Sequence, residues 1–376
     1  MIKNILLVGV ISLCVAALSV SAETTDERIE RMEKELKELK EQVNATADAV
    51  EAKGGAVMSR SSFGGYGELH YNNLDTPSGD KESIDLHRFV LFFGHEFNDS
   101  IRFFSELEVE HALSGDDKPG EVELEQAYIE FDINDSTQAK AGVFLIPVGI
   151  INETHEPPTF YGVERNPIEK NIIPATWWEA GAALGDQIGS TGLSYDFAFT
   201  SGLEVDPATV NIRKGRQKAA KARASNFAYT GRIKYTGIPG LEVAGTLQYQ
   251  DDISQEDNDD LDEAILFSTH VALDKAGFGL RALYAAWDIS GDAAETTGKD
   301  KQDGYYVEAS YRFMPKVGIF ARHNAWSNDD VKDKEQTDIG VNFWPHKDVV
   351  IKADYQSQND DAGDADGINL GIGYQF

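Results

Sequence analysis

The sequence predicts an all-β fold: a 16-stranded antiparallel transmembrane β-barrel preceded by a short N-terminal coiled-coil helix. Three observations predict it. Sixteen segments of about ten residues alternate in hydrophobicity between turn signals. The connections joining them alternate long and short along the whole region. An export signal precedes them, and no later apolar run approaches the roughly twenty residues of a membrane helix.

The elements follow in order. Lys3, an apolar run from Ile5 to Leu18 and the small-residue site Val20-Ser21-Ala22 predict a signal peptide over residues 1–22. Cys14, the only cysteine, leaves with it, so disulfide and thiol chemistry are excluded from the mature chain. Leu13 ahead of Cys14 argues against lipidation. Residues 23–51 carry Ile29, Met32, Leu36, Leu39, Val43, Thr46 and Val50 at alternating spacings of three and four, with charged flanks. That is a heptad seam, and it predicts a coiled coil. Residues 52–62, AKGGAVMSRSS, predict a flexible linker. The barrel domain is expected over residues 63–376.

Its strands are expected near 63–74, 84–97, 100–112, 121–134, 137–146, 176–186, 189–201, 223–235, 240–250, 261–273, 276–288, 303–313, 316–326, 336–345, 348–358 and 366–376. Even-numbered gaps are tight, such as Asn98-Asp99, Gln187-Ile188 and the TGIPG turn at 236–240. Odd-numbered gaps are long and polar, such as TPSGDKES and NDDAGDAD. An up-and-down barrel in an outer membrane has this alternation, with long loops outside and short turns in the periplasm. An even strand count puts both barrel ends on the periplasmic side, where a periplasmic coiled coil belongs. Aromatic residues near strand ends, among them Tyr249, Phe313, Phe343 and Tyr355, suit interfacial girdles.

One face of each strand meets lipid and the other a lumen. Tyr305, Val307, Ala309, Tyr311 and Phe313 alternate with Tyr306, Glu308, Ser310 and Arg312. The inward set predicts an acidic wall of Glu106, Glu108, Glu110, Glu130 and Asp132, interspersed with Arg88 and Arg102. Opposite it stands a basic wall of Arg232, Lys234, Arg281, Arg312, Arg322 and Lys352. Such walls would set up a transverse field across a wet channel.

The longest connection, 147–175, holds five prolines and too many apolar residues for a solvated loop. It is expected to fold inward and narrow the pore, lining it with Glu153, His155, Glu156, Glu164, Arg165, Glu169 and Lys170. The next connection concentrates Arg213, Lys214, Arg216, Lys218 and Lys221. Three readings stand open for this basic outer loop: attracting anions to the mouth, binding lipopolysaccharide phosphates, or a solvated and partly helical segment. QEDNDDLDE and NDDAGDAD lack the spacing of a calcium loop, so divalent bridging at a lipopolysaccharide surface suits them better.

No G-x-S-x-G, H-E-x-x-H or cysteine nucleophile is present, and the eight histidines are scattered, so no enzyme, cofactor or metal site is expected. A net charge of −30 argues against a nucleic-acid partner. DLHRFVLFFGHEFNDSIRFFSELEVEHA, ELEQAYIEFDI, AKAGVFLIPVGI and NETHEPPTFYGVERNPIE together resemble the phosphate-selective porin O/P group of Gram-negative outer-membrane porins. The resemblance implies homotrimers, passive diffusion of small hydrophilic solutes and a constricting third loop. A terminal Phe on the last strand resembles the signal read by barrel-assembly machinery. Phosphate selectivity does not follow, because the third loop sets Arg165 and Lys170 against Glu153, Glu156, Glu164 and Glu169. The alternatives are a substrate-specific nutrient channel, or a structural or adhesive barrel tethered to the envelope by its coiled coil.

Overall fold

A computed structural model describes residues 60–256, 260–328, 333–360 and 364–376. The expected signal peptide, coiled coil and all but the end of the linker lie outside those residues. The chain forms β1 (Ser61–Asp75), β2 (Lys81–Asn98), β3 (Ile101–Glu110), β4 (Ser114–Gly115), β5 (Lys118–Pro119), β6 (Val122–Asp132), β7 (Thr137–Leu145), β8 (Trp178–Gln187), β9 (Leu193–Thr200) and β10 (Ala228–Tyr235). It continues through β11 (Leu241–Gln250), β12 (Ala264–Lys275), β13 (Phe278–Ile289), β14 (Lys301–Met314), β15 (Val317–Ser327), β16 (Asp333–His346), β17 (Val349–Asp360) and β18 (Asp366–Gln375). β4 and β5 pair only with each other. The other sixteen close into one barrel in which every neighbour is antiparallel and sequential. β1 seals against β18, with Tyr66 opposite Gln375 and paired backbone hydrogen bonds between Gly65 and Phe376.

Alternation carries the fold. Val307, Ile339, Phe343 and Ile351 point outward and are exposed, while Tyr306, Asp338, Asn342 and Lys352 point inward and are buried. A hydrocarbon surround demands that outer set, and closure leaves the backbone no unpaired edge. Two boundaries differ from the sequence expectation by four residues or more. β9 begins at Leu193 because the turn before it takes residues 188–192, with Gly189 and Gly192 at positive φ. β10 begins at Ala228 because the Asn226 N–H and carbonyl bond the Gln255 side chain instead of extending the ladder.

Three bulges re-aim side chains on the first barrel strands. His87 is the extra residue where Glu68 pairs with Arg88 and Leu69 with Leu86. Phe97 is a second, between Glu96 and Asn98. Glu125 is the third, where Glu106 faces Gln126 and Leu107 faces Leu124.

The connections at one end are long, and two of them fold inside the barrel. Ile146, Val148, Ile168, Ile172, Ile173 and Trp177 form one apolar core with Leu203, Val205, Val210 and Ile212. Inward residues of β12–β15, such as Leu266, Trp287, Tyr306 and Trp326, complete it. About 25 cal/mol for each Å² of buried apolar surface holds these loops inside.

Candidate pore and its constriction

The connection between β7 and β8, residues 146–177, is braced from within. Asn152 is fully buried; its amide donates to the Ile146 and Trp177 carbonyls at 2.8 and 3.0 Å and accepts from the Trp177 N–H at 2.7 Å. Glu169 Oε1 accepts the Ile150 and Ile151 N–H groups at 2.6 and 2.7 Å. Its Oε2 accepts from Asn166 and from the Tyr306 hydroxyl. The helical turn α1 (Ile168–Asn171) and a 3-10 turn at Pro157–Thr159 complete the loop.

The barrel wall then grips it. Lys352 Nζ donates to the Gly162 carbonyl at 2.7 Å and lies 3.6 Å over the Phe160 ring. Asp354 accepts the Val163 N–H at 2.6 Å. Arg322 donates to the Tyr161 and Glu164 carbonyls, and Trp287 to the Ile172 carbonyl. Asn342 reaches the Phe160 carbonyl and Thr246 the Pro147 carbonyl. These contacts come from strands on several sides of the barrel, so the loop spans the lumen.

The residues expected to line the constriction divide. Glu153, Glu156, Glu164 and Lys170 keep exposed surface, whereas Arg165 is half-buried, its Nη1 bonding Thr176 and its other guanidinium nitrogens buried. Glu169 and His155 do not: they are 0% and 3% exposed. Glu169 is a brace because the turn at Ile150-Ile151 needs an acceptor, and His155 is turned into the wall. Glu153 is paired with Arg232. Glu164 accepts from His70 at 3.1 Å and from Asn72 at 3.1 Å. Burial pushes the Glu164 carboxyl up, but the His70 hydrogen bond and charge overcome it and hold the group well below the ordinary carboxylate range.

Opposed acidic and basic walls are not what the lumen holds. Charges pair locally across adjacent strands. Arg322 meets Asp338 at 3.0 Å and Glu308 at 3.5 Å, and Arg281 meets Asp274 at 2.6 Å. Arg232 joins Asp196 at 2.8 Å as well as Glu153. On the other side, Arg88 meets Glu68 at 2.9 Å and Glu108 at 3.4 Å, while Arg102 serves Glu130 and Asp132. Buried ions need such partners, because desolvating one alone costs several kcal/mol. Among the described residues Lys234, Arg312 and Lys352 of the basic wall have no carboxylate partner; Lys352 serves the Gly162 carbonyl, and Arg312 lies 3.9 Å over Trp344. Glu110 lies beside Glu121 and Glu123, two inward carboxylates outside the expected wall.

The basic connection between β9 and β10 is not a loop hanging outside. Arg213 donates to the Ala175 carbonyl at 2.6 Å and the Lys170 carbonyl at 3.2 Å. Arg216 bonds the Thr176 carbonyl, and Lys218 reaches Glu121 at 2.8 Å and also pairs with Glu123. Lys214 and Lys221 are the exposed members of the five. Arg213, Lys214, Arg216 and Lys218 join Lys299 and Lys334 around a recess of ≈ 630 Å³ whose described lining residues include no carboxylate. Burial, then the neighbouring Arg216 and Arg165, push the Arg213 pKa down: cations are crowded there without enough counter-charge. Lys299 and Lys334 were invisible as members, since Lys299 comes from another connection and Lys334 from the start of β16.

At the opposite end lie recesses of ≈ 550 and ≈ 540 Å³. Phe160, Tyr161, Arg312 and Trp344 line the first, and Glu153, Arg232, Lys234 and Glu242 the second. The inward loop separates these mixed-charge recesses from the cationic one.

The profile of the family "Phosphate-selective porin O and P" matches residues 63–376. An uncharacterized protein of Aquifex aeolicus (strain VF5) is 31% identical over 354 residues, covering 84% of this chain and 80% of that one. Among solved structures, an anion-selective porin from Comamonas acidovorans superposes with a TM-score of 0.62 at 11% identity, covering 84% of this chain and 100% of that one. The outer-membrane channel DcaP of Acinetobacter baumannii gives 0.60 at 12% identity over 84% and 97%. OmpF of Salmonella typhi gives 0.59 at 14% over the same shares. At these identities the structural likeness is one of fold.

Proposed function

This chain belongs to the phosphate-selective porin O and P family and is an outer-membrane channel, and from that premise we propose that it passes small hydrophilic anions, phosphate among them. One observation carries the ion sign: six cationic side chains line the recess at the long-loop end, with no carboxylate among its described lining residues. Barrel loops of that length face outward, so an arriving solute meets this recess first. Of the third loop's four carboxylates only Glu156 is left without a side-chain partner among the described residues. Glu153 is bound to Arg232, Glu164 to His70, and Glu169 to backbone N–H groups. Transport is passive, driven by the gradient through a wet lumen, with no cofactor.

The same reading keeps the domain plan: a signal over 1–22, a periplasmic coiled coil over 23–51, a linker over 52–62 and the porin domain from 63. A homotrimer is proposed, supported by the heptad seam and by a fold shared at 10% identity with an outer-membrane protein of Vibrio cholerae described in a trimer form. Lipopolysaccharide is proposed as the lipid neighbour, and the barrel-assembly machinery as reader of the last strand. Arg213 and Arg216, which bond loop carbonyls, are pore residues in this reading, and Lys221 is left to face lipopolysaccharide. The test is the reversal potential of purified protein in a planar bilayer under a KCl gradient, followed by phosphate titration. An anion-directed potential and a chloride current reduced by phosphate are expected. A cation-directed potential overturns anion selectivity; absence of conductance from folded protein overturns the pore.

A further inference from the structure

We propose that Glu106, Glu125 and His155 form a binding site for one divalent first-row transition metal ion, and that the ion fastens the third loop to the barrel wall. The three side chains come from three places: Glu106 from β3, Glu125 from the bulge in β6, and His155 from the inward loop. They are 1%, 1% and 3% exposed. One donor atom of each lies within 4.8 Å of the others.

The spacing is that of ligands around an ion. His155 Nε2 stands 3.5 Å from Glu106 Oε1 and 3.7 Å from Glu125 Oε2. Both separations are too long for good hydrogen bonds. None of these three atoms has a hydrogen-bond partner, although all are buried. A metal with ligands at about 2.1 Å in a tetrahedron holds them about 3.4 Å apart. His155 Nε2 is therefore separated from each of the two orphaned carboxylate oxygens by close to the edge length of such a polyhedron.

The outer partners are set as well. His155 Nδ1 lies 3.2 Å from the Asn152 carbonyl. A carbonyl only accepts, so Nδ1 carries the proton and the neutral ring presents its lone pair at Nε2. Asn152 is the residue that pins the loop, so the ring's orientation is locked to the loop's main brace. Glu106 Oε2 accepts from Gln126 at 2.6 Å, which aims Oε1 at the site. Metal-binding imidazoles and carboxylates are oriented by such second partners. Tyr66 packs edge-on against His155 at 5.7 Å and closes one side.

Charge points the same way. Glu106, Glu108 and Glu125 stand together on the inner wall, and both Glu108 carboxylate oxygens also lack a hydrogen-bond partner. Arg88 is the cation paired with Glu108, and it is shared with Glu68. A divalent ion restores the balance that burial demands. One imidazole with two carboxylates selects zinc, manganese, iron(II) or cobalt over calcium or magnesium, which take oxygen alone. Only His155 belongs to the loop, so removing it cuts the link while leaving the carboxylates in the wall.

The probe is zinc chloride. Folded wild-type protein and the variants His155→Gln and Glu106→Gln, each checked for its heat-modifiable barrel band, are equilibrated with zinc, desalted and assayed for metal per chain. His70, His87 and His111 form a second, more open cluster on β1, β2 and the turn after β3. A His111→Gln control therefore accompanies them. The proposal expects the wild type and His111→Gln to share a tight zinc that each site variant binds at least 100-fold more weakly, beyond the roughly 10–100-fold cost of losing an outer partner. X-ray absorption should report one nitrogen and oxygens. Zinc should also slow proteolysis of the loop in the wild type and not in His155→Gln. Equal zinc in the wild type and His155→Gln, or no retained zinc in any chain, overturns the site.

Discussion

Reversing two charges in the cationic recess should abolish most of the channel's ion preference. Lys214 and Lys334 line the recess, and neither side chain has an ion-pair partner among the described residues. Lys218 is paired with Glu121 and Glu123, so five of the six cations act on a solute. A sphere of ≈ 630 Å³ has a radius of about 5.3 Å, and charges set just beyond its surface lie about 6 Å from a centred monovalent anion. Each then contributes about 0.7 kcal/mol in water before screening, or about 3.5 kcal/mol for five. A Debye length of about 8 Å at physiological salt reduces that to about 1.6 kcal/mol, an anion enrichment of about 15-fold. Lys214→Glu with Lys334→Glu leaves a balance of one positive charge, and the enrichment falls to about 1.7-fold. The assay is the reversal potential in a planar bilayer under a KCl gradient at low ionic strength. At about 1 M salt the wild type itself should keep only about a twofold preference. A double variant with unchanged reversal potential, or a wild type whose preference ignores salt, would refute the reasoning.

Three further outcomes follow from the loop and the wall. Asn152→Ala orphans the Trp177 N–H, at a cost of about 1–3 kcal/mol for a buried group without a partner, and leaves the Ile146 and Trp177 carbonyls with one backbone donor each; hydrogen exchange over residues 146–177 should accelerate and current noise should rise. Glu164 has a depressed folded pKa, so its contribution is fully present above the ordinary glutamate value of about 4.3 and is lost as pH falls through the lower folded value. Proteolysis of the loop should accordingly separate wild type from Glu164→Gln by a constant ratio between about pH 7 and 5, closing only in stronger acid. On the lipid face, Val307→Arg should destabilise the barrel by about 2–4 kcal/mol in liposome refolding, whereas Ser310→Arg on the lumen face should be nearly neutral.

How far the sequence could be read depends on the kind of environment. The strands were legible because lipid and lumen impose opposite demands on alternate residues, so Val307 and Glu308 declare their faces without knowledge of neighbours. The bulges were not. One extra residue at His87 or Glu125 leaves the hydrophobic pattern almost intact while swinging a side chain into the lumen. Charge pairing was equally hidden, since Arg322 meets Asp338 through strand register and the Tyr161 carbonyl through a loop far away in sequence. The inward course of the third loop was readable in its prolines and apolar residues. The docking of the basic connection beside it was not, because Leu203, Val205, Val210 and Ile212 are a sparse apolar set without period. The scattered histidines mislead for the same reason: His155 meets Glu106 and Glu125 only once three elements are assembled.

The apolar core shared by the two inward loops has a consequence for how such a channel changes over generations. In an empty cylinder the number of strands sets the calibre. Here a packed mass on the β12–β15 side displaces the open path off the axis, so calibre and charge are properties of loop residues. A substitution at Lys214 or Phe160 can retune what passes without touching a single strand pairing or the lipid-facing surface. The barrel is thus free to be conservative while its permeability drifts, and a new solute can be admitted by changes too small to endanger insertion.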